Sequence, residues 1–455
     1  MQINASPIIP PAPLVHAADL SPVRLLLTSA RSSLDIWPSY AFDVAFNRRT
    51  LLGVEAVLLN DPAAIRHVFV THAANYARPV VVPRISRALL GHGVFLSEGA
   101  EWRRQRRVLA PAFTPHNIGL LLPHFATAAN ELARQLGRAP TADLSGAFQS
   151  VALEAALRAM FSIPEKEQRE KLGGLVRAFV AGPGRPKIID TFAPTETSFG
   201  FLLRKRRAFQ KIWFDAVDEV VTARKRTPRT GAHRDLLDML LAARDPETGE
   251  PLSSEEVRDQ CATMIFGGFE TTARLLFWAA YLLTLDRSEQ ERLREEVTAF
   301  PPDRVATLND LSNWPRLRMV LLETMRLYPP VPHLIRRPVE KDEIGGEPVA
   351  PGTQVWVSPW VMHRHRAHWP NPTAFMPERF AGLPSPWMSN GAYLPFGAGP
   401  RICIGATFAM AEAQIVMATV LTRFRLSLDD DRPVMPVGRL TIEPSRAPMF
   451  RLERV

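Results

Sequence analysis

Between about residue 117 and residue 300, apolar residues recur at every third or fourth position, with charged residues between them. That spacing gathers the apolar side chains on one face of a helix, so it predicts a series of amphipathic helices. The clearest stretches are LLPHFATAANELARQLG, FQKIWFDAVDEVVTARKR and HRDLLDMLLAARD, followed by one long helix. Ser253 or Ser254, with Glu256 near the third helical position, predicts the N-terminal cap of that long helix.

A smaller part of the chain has strand-like patterns. LLGVEAVLLN, at 51–60, predicts a short strand before a helix that Asp61 and Pro62 open. Residues 335–358, around EIGGEPVAPGTQVWVS, and the final twenty residues also favour extended backbone. The predicted fold class is therefore mainly α with a smaller β-rich region. Because no shift in composition marks a boundary, we expect one domain over residues 1–455, with about 20 N-terminal residues as an extended arm.

The composition is that of a globular chain, since 46% of the residues are hydrophobic and 22% are charged. Two cysteines are too few for a disulfide framework and their spacing suits no zinc site, so we expect a reducing, cytoplasmic setting. The N-terminus lacks the features of a signal peptide, and no apolar run is long enough to predict a membrane anchor.

The formal charge of +9 comes almost entirely from arginine. No basic run is interleaved with aromatic residues, and no helix-turn-helix or zinc-finger spacing is present, so we expect no nucleic-acid partner. Two interpretations remain open. The arginines form a solvated surface, or some of them form a local patch for an acidic protein.

The stretch LPFGAGPRICIGATFA, at 394–409, sets Cys403 in a glycine-rich loop just before a long apolar helix. A thiolate is a strong, soft ligand, and its pKa falls at a helix N-terminus. Gly397, Gly399 and Gly405 permit tight turns and close approach of the backbone to a flat group. Arg401 could neutralise a carboxylate on the same group. The alternative is a buried cysteine with a packing role only.

The stretch MIFGGFETTARLLF lies within the predicted long helix. The hydroxyl of Thr271 can bond to the carbonyl of Gly267, one turn earlier, and open a groove in the helix. Glu270 would be costly to bury without a polar task. The alternative is an amphipathic helix with a kink. For Cys261, on the same helix, we expect a packing role.

The cysteine loop resembles the haem-binding loop of the cytochrome P-450 monooxygenases. The positions that match are Phe396, Gly397, Gly399, Arg401, Cys403 and Gly405, continued by Phe408 and Ala409. The resemblance implies that Cys403 is the axial thiolate ligand of the iron of haem b (heme b, iron protoporphyrin IX).

The long helix resembles the oxygen-activation helix of the same family, with Gly267, Gly268, Glu270, Thr271 and Thr272 on the matching positions. The resemblance implies that Thr271 holds dioxygen and a water molecule, and that Glu270 helps to feed protons to the outer oxygen.

Three further segments resemble family motifs in the same order along the chain. LLETMRLYPP and FMPERF imply a buried network of Glu323, Arg326 and Arg379. EWRRQRRVLAPAF implies that Trp102 and Arg106 bind a haem propionate, and PPVPHLIRR implies the same for Arg336, with Arg337 as the alternative. With Arg401, these cations would balance the two propionates.

Taken together, the resemblance implies the P-450 fold and a monooxygenase that acts on a small apolar substrate with dioxygen. Alternatives are a peroxygenase or isomerase of the same fold, or a haem sensor or carrier. No reductase domain follows the β-rich segment, so we expect a separate acidic ferredoxin or flavodoxin as the electron donor. We expect this donor near Arg103, Arg104 and Arg107, some of which should emerge on the cysteine side.

By resemblance, the substrate pocket is expected at 75–99, 180–205, 331–334 and 437–447. These segments are mostly apolar, which favours an apolar ligand. Arg78, Arg84 and Arg87 leave open an anionic group on that ligand.

Overall fold

A computed structural model describes residues 7–51, 54–163, 166–185, 190, 193, 195–198, 200–226, 235–383 and 391–455. The helices in these residues are α1 (Pro22–Arg31), α2 (Pro62–Arg66), α3 (Val81–Leu90), α4 (Gly99–Leu109), α5 (Pro115–Gly119), α6 (Leu122–Leu136), α7 (Leu144–Phe161), α8 (Lys166–Ala181), α9 (Arg204–Arg226), α10 (Leu236–Ala242), α11 (Ser254–Leu285), α12 (Arg287–Ala299), α13 (Pro315–Leu327), α14 (Pro359–Met362) and α15 (Ala406–Arg423). A π-helical turn, His67–Thr71, follows α2 directly.

The strands are β1 (Phe46–Leu51), β2 (Val54–Leu59), β3 (Tyr76–Ala77), β4 (Thr141–Asp143), β5 (Leu334–Pro338), β6 (Asp342–Ile344), β7 (Glu347–Val349), β8 (Gln354–Val357), β9 (Phe424–Leu428), β10 (Pro436–Gly438), β11 (Ile442–Pro444) and β12 (Met449–Arg454). The largest sheet has the order β1-β2-β8-β5-β3. In it β2 and β8 run parallel, and the other neighbours run antiparallel. A second sheet has the order β4-β12-β9, and β6-β7 and β10-β11 are two-stranded.

The fold class predicted from the sequence is confirmed: the protein is mainly helical, with a smaller sheet region. The side-chain caps that the sequence predicts at two helix starts are present in the structure. The Asp61 side chain accepts the backbone N–H of Ala64 and caps α2. Ser253, rather than Ser254, caps α11, and it forms a reciprocal capping box with Glu256. Residues 343–358 form the β6-β7 hairpin and β8, and the final residues form β11 and β12.

Helix α11 runs through the interior and packs against α7, α9, α13 and α15. Its C-terminal half is fixed by buried aromatic side chains. Trp278 donates its indole N–H to the carbonyl of Ile442 at 2.9 Å and stacks on Tyr328 with the ring centroids 4.1 Å apart. Cys261 on the same helix has no accessible surface, so the expected packing role is confirmed. The helix that carries Gly267 to Thr272 is therefore a rigid support.

None of the described helices combines the length and the apolar composition that crossing a bilayer requires.

Candidate active site

The loop before α15 has a backbone that needs glycine. Gly397 and Gly399 have φ angles of +75° and +69°, in the left-handed region that side chains disfavour. A Cβ at Gly399 would also overlap the carbonyl of Phe69 in the π-helical turn. The backbone N–H of Cys403 donates to the carbonyl of Phe396 at 2.9 Å and closes the loop. The result is a tight loop that presents the sulfur from a fixed position.

The thiol of Cys403 keeps accessible surface, whereas that of Cys261 does not. Burial raises the pKa of the Cys403 thiol, although a hydrogen bond from the backbone N–H of Gly405 and the charge of Arg106 oppose this effect. The backbone at the start of α15 therefore lowers this pKa as expected, but desolvation raises it by more, so the net shift in the polypeptide is upward. A thiolate at this position needs a cation on its sulfur, and an iron ion supplies one.

Several arginines lie close together beside this loop. Burial, and then the like charges of Arg78 and Arg401, lower the pKa of Arg336 to about 9. Arg401 donates to the carbonyl of Ser97 at 3.1 Å and forms an ion pair with Glu98. Arg78 is 3.0 Å from the same Glu98 carboxylate. Three cations thus share one acid among the described residues, so the cluster has the positive charge to pair with the two carboxylates of a haem.

Trp102 and Arg106 both lie on α4, four residues apart. The guanidinium of Arg401 lies 4.3 Å from the centre of the Trp102 ring, so the tryptophan supports the arginine cluster. Burial lowers the pKa of Arg106, and the interaction with Cys403 raises it. No ion pair joins Arg106 to a carboxylate in the described part of the chain. Arg106 is therefore a cation available to a bound anion.

Strand β5 separates the two candidate arginines that the sequence left open. Arg336 pairs with Val355 of β8, and Arg337 pairs with Ala77 of β3. Successive side chains of a strand point to opposite faces. Because Arg336 is the one that interacts with Arg78 and Arg401, the geometry favours Arg336 over Arg337 as the anion-binding residue.

Helix α11 is buried on nearly all sides from Cys261 to Leu283. Accessible surface remains only at Met264, Phe266, Gly267, Gly268 and Thr271. Four of these positions, Met264, Gly267, Gly268 and Thr271, have the spacing of three and four residues that forms one helical face. A face that is open in the middle of a buried helix must border an internal cleft.

The hydrogen bond predicted within this helix is present. The Thr271 hydroxyl donates to the carbonyl of Gly267 at 2.7 Å. Gly267 has no atom within 4 Å of the position that a Cβ would occupy, so the helix is flanked by free space there. A Cβ at Gly268 would lie 3.8 Å from the ring of Phe408, which is on the helix that follows Cys403. The cleft beside α11 and the helix that follows Cys403 are therefore neighbouring parts of one site.

Glu270 is engaged away from Thr271. Its Oε1 accepts hydrogen bonds from Arg274 at 2.9 Å and from Thr441 at 3.2 Å, and the side chains of Glu270 and Arg274 are 4% and 7% exposed. Its Oε2 has no partner in the described part of the chain. The buried Glu270 thus has the polar partner that its burial requires, and that partner is the Arg274 guanidinium. No direct hydrogen bond joins its carboxylate to the Thr271 hydroxyl.

Glu323, Arg326 and Arg379 are in contact. Arg326 donates to Glu323 at 2.7 and 2.8 Å, and both side chains are fully buried. Arg379 lies 3.2 Å from the same carboxylate. Arg326 also donates to the carbonyl of His363 at 2.8 Å, and the Nε2 of His363 accepts the backbone N–H of Leu394 at 2.8 Å. The network therefore reaches the first residue of the cysteine loop.

Sequence reasoning missed His363. Burial, and then the charges of Arg326 and Arg364, lower its pKa to about 3, so the ring is neutral and can accept the Leu394 N–H. The sequence around it, WVMHRHRAHWP, offers no signal that one histidine among three holds the loop.

The expected docking arginines are only partly available. Arg104 forms an ion pair with Glu256 at the start of α11, and Arg107 donates to Asp245 at 2.8 Å. These two arginines are therefore paired within the protein, because the acidic residues before and at the start of α11 lie against α4. Arg103 is exposed, and no ion pair joins it to the part of the chain that the structure describes.

The arginines considered for an anionic substrate are all paired. Arg78 pairs with Glu98 as above, Arg84 lies 2.9 Å from Asp190, and Arg87 pairs with Glu196. The charges of Arg84 and Arg87 are thus satisfied by the protein, and Arg78 belongs to the cluster with Arg336 and Arg401, so the three give no support for an anionic group on the substrate. The expected lining segment 180–205 lies partly outside the described residues.

The fold is mainly helical, and an accessible thiol lies in a glycine-rich loop beside surplus arginines and an open helix face. Together these features are those of a haem-thiolate protein. The Cytochrome P450 family profile matches residues 46–447, and the chain belongs to that family. Its enzymes are monooxygenases that use haem b, and this protein is accordingly a P450 oxidoreductase.

Individual relatives agree. Cyclooctat-9-en-7-ol 5-monooxygenase of Streptomyces melanosporofaciens is 33% identical over 350 residues, which cover 75% of this chain and 74% of that protein. The chloroplastic protein LUTEIN DEFICIENT 5 of Arabidopsis thaliana is 28% identical over 396 residues, covering 83% of this chain and 66% of that protein. The crystal structure of a cytochrome P450 (CYP102L1), 24% identical, covers 98% of this chain and all of its own with a TM-score of 0.81, and it shows the fold.

Proposed function

We propose that this P450 inserts one atom of dioxygen into a small apolar organic substrate. The observation that carries the proposal is the single open face of α11, where Met264 and the Thr271 hydroxyl lie on one side of an otherwise buried helix. Such a face offers apolar contact over most of its length and one polar group at its end, as sites for apolar ligands do. The Streptomyces relative makes cyclooctat-9-en-7-ol the first compound to test.

Cys403 is proposed as the axial ligand, with Phe396, Gly397 and Gly405 shaping the loop around it. Trp102, Arg106, Arg336 and Arg401 are proposed to hold the two propionates, because the three arginines are half-buried and outnumber the acids near them, and Trp102 packs on Arg401. When bound, the haem supplies the electron transfer and the cleavage of dioxygen. The chain contributes the fixed positive charge of Arg106, Arg336 and Arg401 beside the cysteine loop.

Thr271 is proposed to take part in proton delivery to dioxygen. Its hydroxyl already donates to the Gly267 carbonyl, so its oxygen is oriented to accept a hydrogen bond from a water in the groove. Glu270 would contribute through Oε2, the oxygen that no described residue contacts, whereas Oε1 is held by Arg274. A proton passing from Glu270 to Thr271 would therefore travel through ordered water.

The test is Thr271→Ala, with Thr271→Ser as the matched control that keeps the hydroxyl. Because proton delivery is lost and the cleft stays apolar, the alanine variant should bind substrate as wild type does but release several times more hydrogen peroxide per NADPH consumed. The serine variant should keep most of the coupling. Equal product and peroxide yields in the alanine variant and wild type would contradict the proposal.

The electron donor is proposed to be a separate acidic ferredoxin or flavodoxin. Two elements flank the cysteine loop: the segment from α2 through the π-helical turn, which contacts Gly399, and α4, which carries Trp102. Each presents an exposed arginine, Arg66 and Arg103, and no ion pair joins either one to the described residues. Unpaired cations beside the shortest path to the haem would steer an acidic partner.

A further inference from the structure

Two histidines lie together at the two ends of the π-helical turn that follows α2, His67 as its first residue and His72 directly after it. The backbone N–H of His72 donates to the carbonyl of His67 at 2.8 Å. The five-residue spacing of this turn brings the two rings to a centroid distance of 4.0 Å. π-helical turns are rare and occur frequently at functional sites.

Asp342, the first residue of β6, faces both rings. Its Oδ2 lies 2.9 Å from the Nε2 of His67 and 3.4 Å from the Nδ1 of His72. One ligand atom from each of the three residues lies within 4.8 Å of the others. Tetrahedral coordination at about 2.0–2.1 Å separates two ligand atoms by about 3.3 Å. The three side chains thus need only small movements to surround one ion.

The carboxylate is held in place by other groups. The hydroxyl of Tyr76 donates to Oδ2 at 2.8 Å, and the backbone N–H of Glu343 donates to Oδ1 at 2.8 Å. Partners that orient a ligand in this way are a regular part of protein metal sites.

We propose that His67, His72 and Asp342 bind one divalent transition-metal ion of the Zn²⁺ type, with a water as the fourth ligand. Two imidazoles and one carboxylate suit Zn²⁺ and its neighbours rather than Mg²⁺ or Ca²⁺, which prefer all-oxygen sites. The side chains of His67 and His72 are 25% and 46% exposed, so an ion can reach them from solvent. The competing interpretation is a cluster held by hydrogen bonds alone.

The position of the site predicts how a bound ion would affect the structure around the cysteine loop. The carbonyl of Phe69, within the π-helical turn, lies directly against Gly399 of the cysteine loop. An ion shared by His67, His72 and Asp342 would join this turn to β6 and brace it against the loop. The site lies outside the α11 cleft, so the inference is independent of the proposed reaction.

The test titrates the full-length, haem-loaded protein, freed of purification tags and treated with a chelator, with ZnCl₂ in a calorimeter. Wild type should bind one Zn²⁺ per chain at this site. His72→Gln keeps a hydrogen-bond donor for Asp342 but removes a good metal ligand, and it should weaken binding by at least about tenfold. Asp342→Asn should do the same. His116→Gln, at an exposed histidine on α5, should bind as wild type does.

X-ray absorption at the zinc edge gives a second measurement. The wild-type spectrum should contain the scattering of two imidazoles and of oxygen ligands, and His72→Gln should lose one imidazole. If wild type and His72→Gln bind Zn²⁺ with equal affinity, or if the wild-type spectrum contains no imidazole, the proposal is overturned and the cluster is held by hydrogen bonds alone.

Discussion

At the scale of single residues, Glu270 is the position where the structure changes the interpretation most. Its carboxylate neutralises Arg274 in a buried pair with a closest distance of 2.6 Å. Removing one partner of a buried pair leaves an uncompensated charge and costs more than the pair contributes. A variant at Glu270 therefore reports on stability as well as on proton delivery, and the two effects need separate controls.

Glu270→Gln should lower the free energy of unfolding by about 2–4 kcal/mol, because Arg274 keeps its charge and loses its counter-ion. Thermal unfolding of the haem-loaded protein would measure the change. Glu291→Gln is the matched control, since Glu291 is 44% exposed and pairs with Arg294 and Arg425 at the surface, where such pairs contribute less than about 1 kcal/mol.

The double variant Glu270→Gln/Arg274→Met should recover part of the loss, because it removes the unpaired charge. If Glu270→Gln unfolds at the same temperature as Glu291→Gln, the buried ion pair does not stabilise the fold. The role of Glu270 would then be proton transfer only.

At the scale of elements, the packing of the cysteine loop on the π-helical turn leads to a prediction at Gly399. Alanine there would have to adopt a φ of +69° and would overlap the Phe69 carbonyl. Left-handed backbone alone costs about 1–3 kcal/mol, and the overlap adds displacement of the loop. Gly399→Ala should therefore lose most of its haem during gel filtration, as measured by the Soret absorbance per chain.

Gly382→Ala separates the two causes. Gly382 has a φ of +71°, close to that of Gly399, but no atom of the described residues lies within 4 Å of its Cβ position. This variant should be moderately destabilised and keep its haem. Equal haem loss in both variants would mean that backbone strain, rather than contact with the π-helical turn, decides the outcome.

Elements also show what the sequence could and could not predict. The helices, the Ser253 capping box and the Thr271–Gly267 hydrogen bond involve residues at most four positions apart, so their signals are local. The partner of Arg104 is 152 residues away and that of Arg107 is 138 residues away, so no local pattern reveals them. The π-helical turn likewise has no distinctive composition, and its His67 pairs with an aspartate 275 residues later.

At the scale of the whole molecule, the charge of +9 raises the question of where an acidic donor binds. Much of the arginine charge is compensated within the protein, as the pairs of Arg84, Arg104 and Arg107 show. The net charge therefore does not show where an acidic donor binds. Exposed arginines beside the cysteine loop that form no ion pair with the described residues indicate the position better.

Arg66→Glu/Arg103→Glu should slow the second-order reduction by an acidic ferredoxin by about tenfold or more at low ionic strength and flatten its dependence on salt. Stopped-flow absorbance in carbon monoxide would measure the rate. The matched control, Arg31→Glu/Arg138→Glu, changes the net charge equally at exposed arginines on α1 and after α6. Reduction that is equally fast in the two double variants would place the docking surface elsewhere.

The unequal surroundings of the two cysteines also give the protein a built-in chemical label. Cys261 has no accessible surface, so an alkylating reagent leaves it unmodified in the folded protein. The sulfur of Cys403 is accessible in the polypeptide, and coordination to iron would shield it. After a short pulse of iodoacetamide, intact-mass spectrometry would therefore show one adduct on each chain that lacks haem and none on each loaded chain. A single spectrum would resolve two populations that an absorbance ratio only averages.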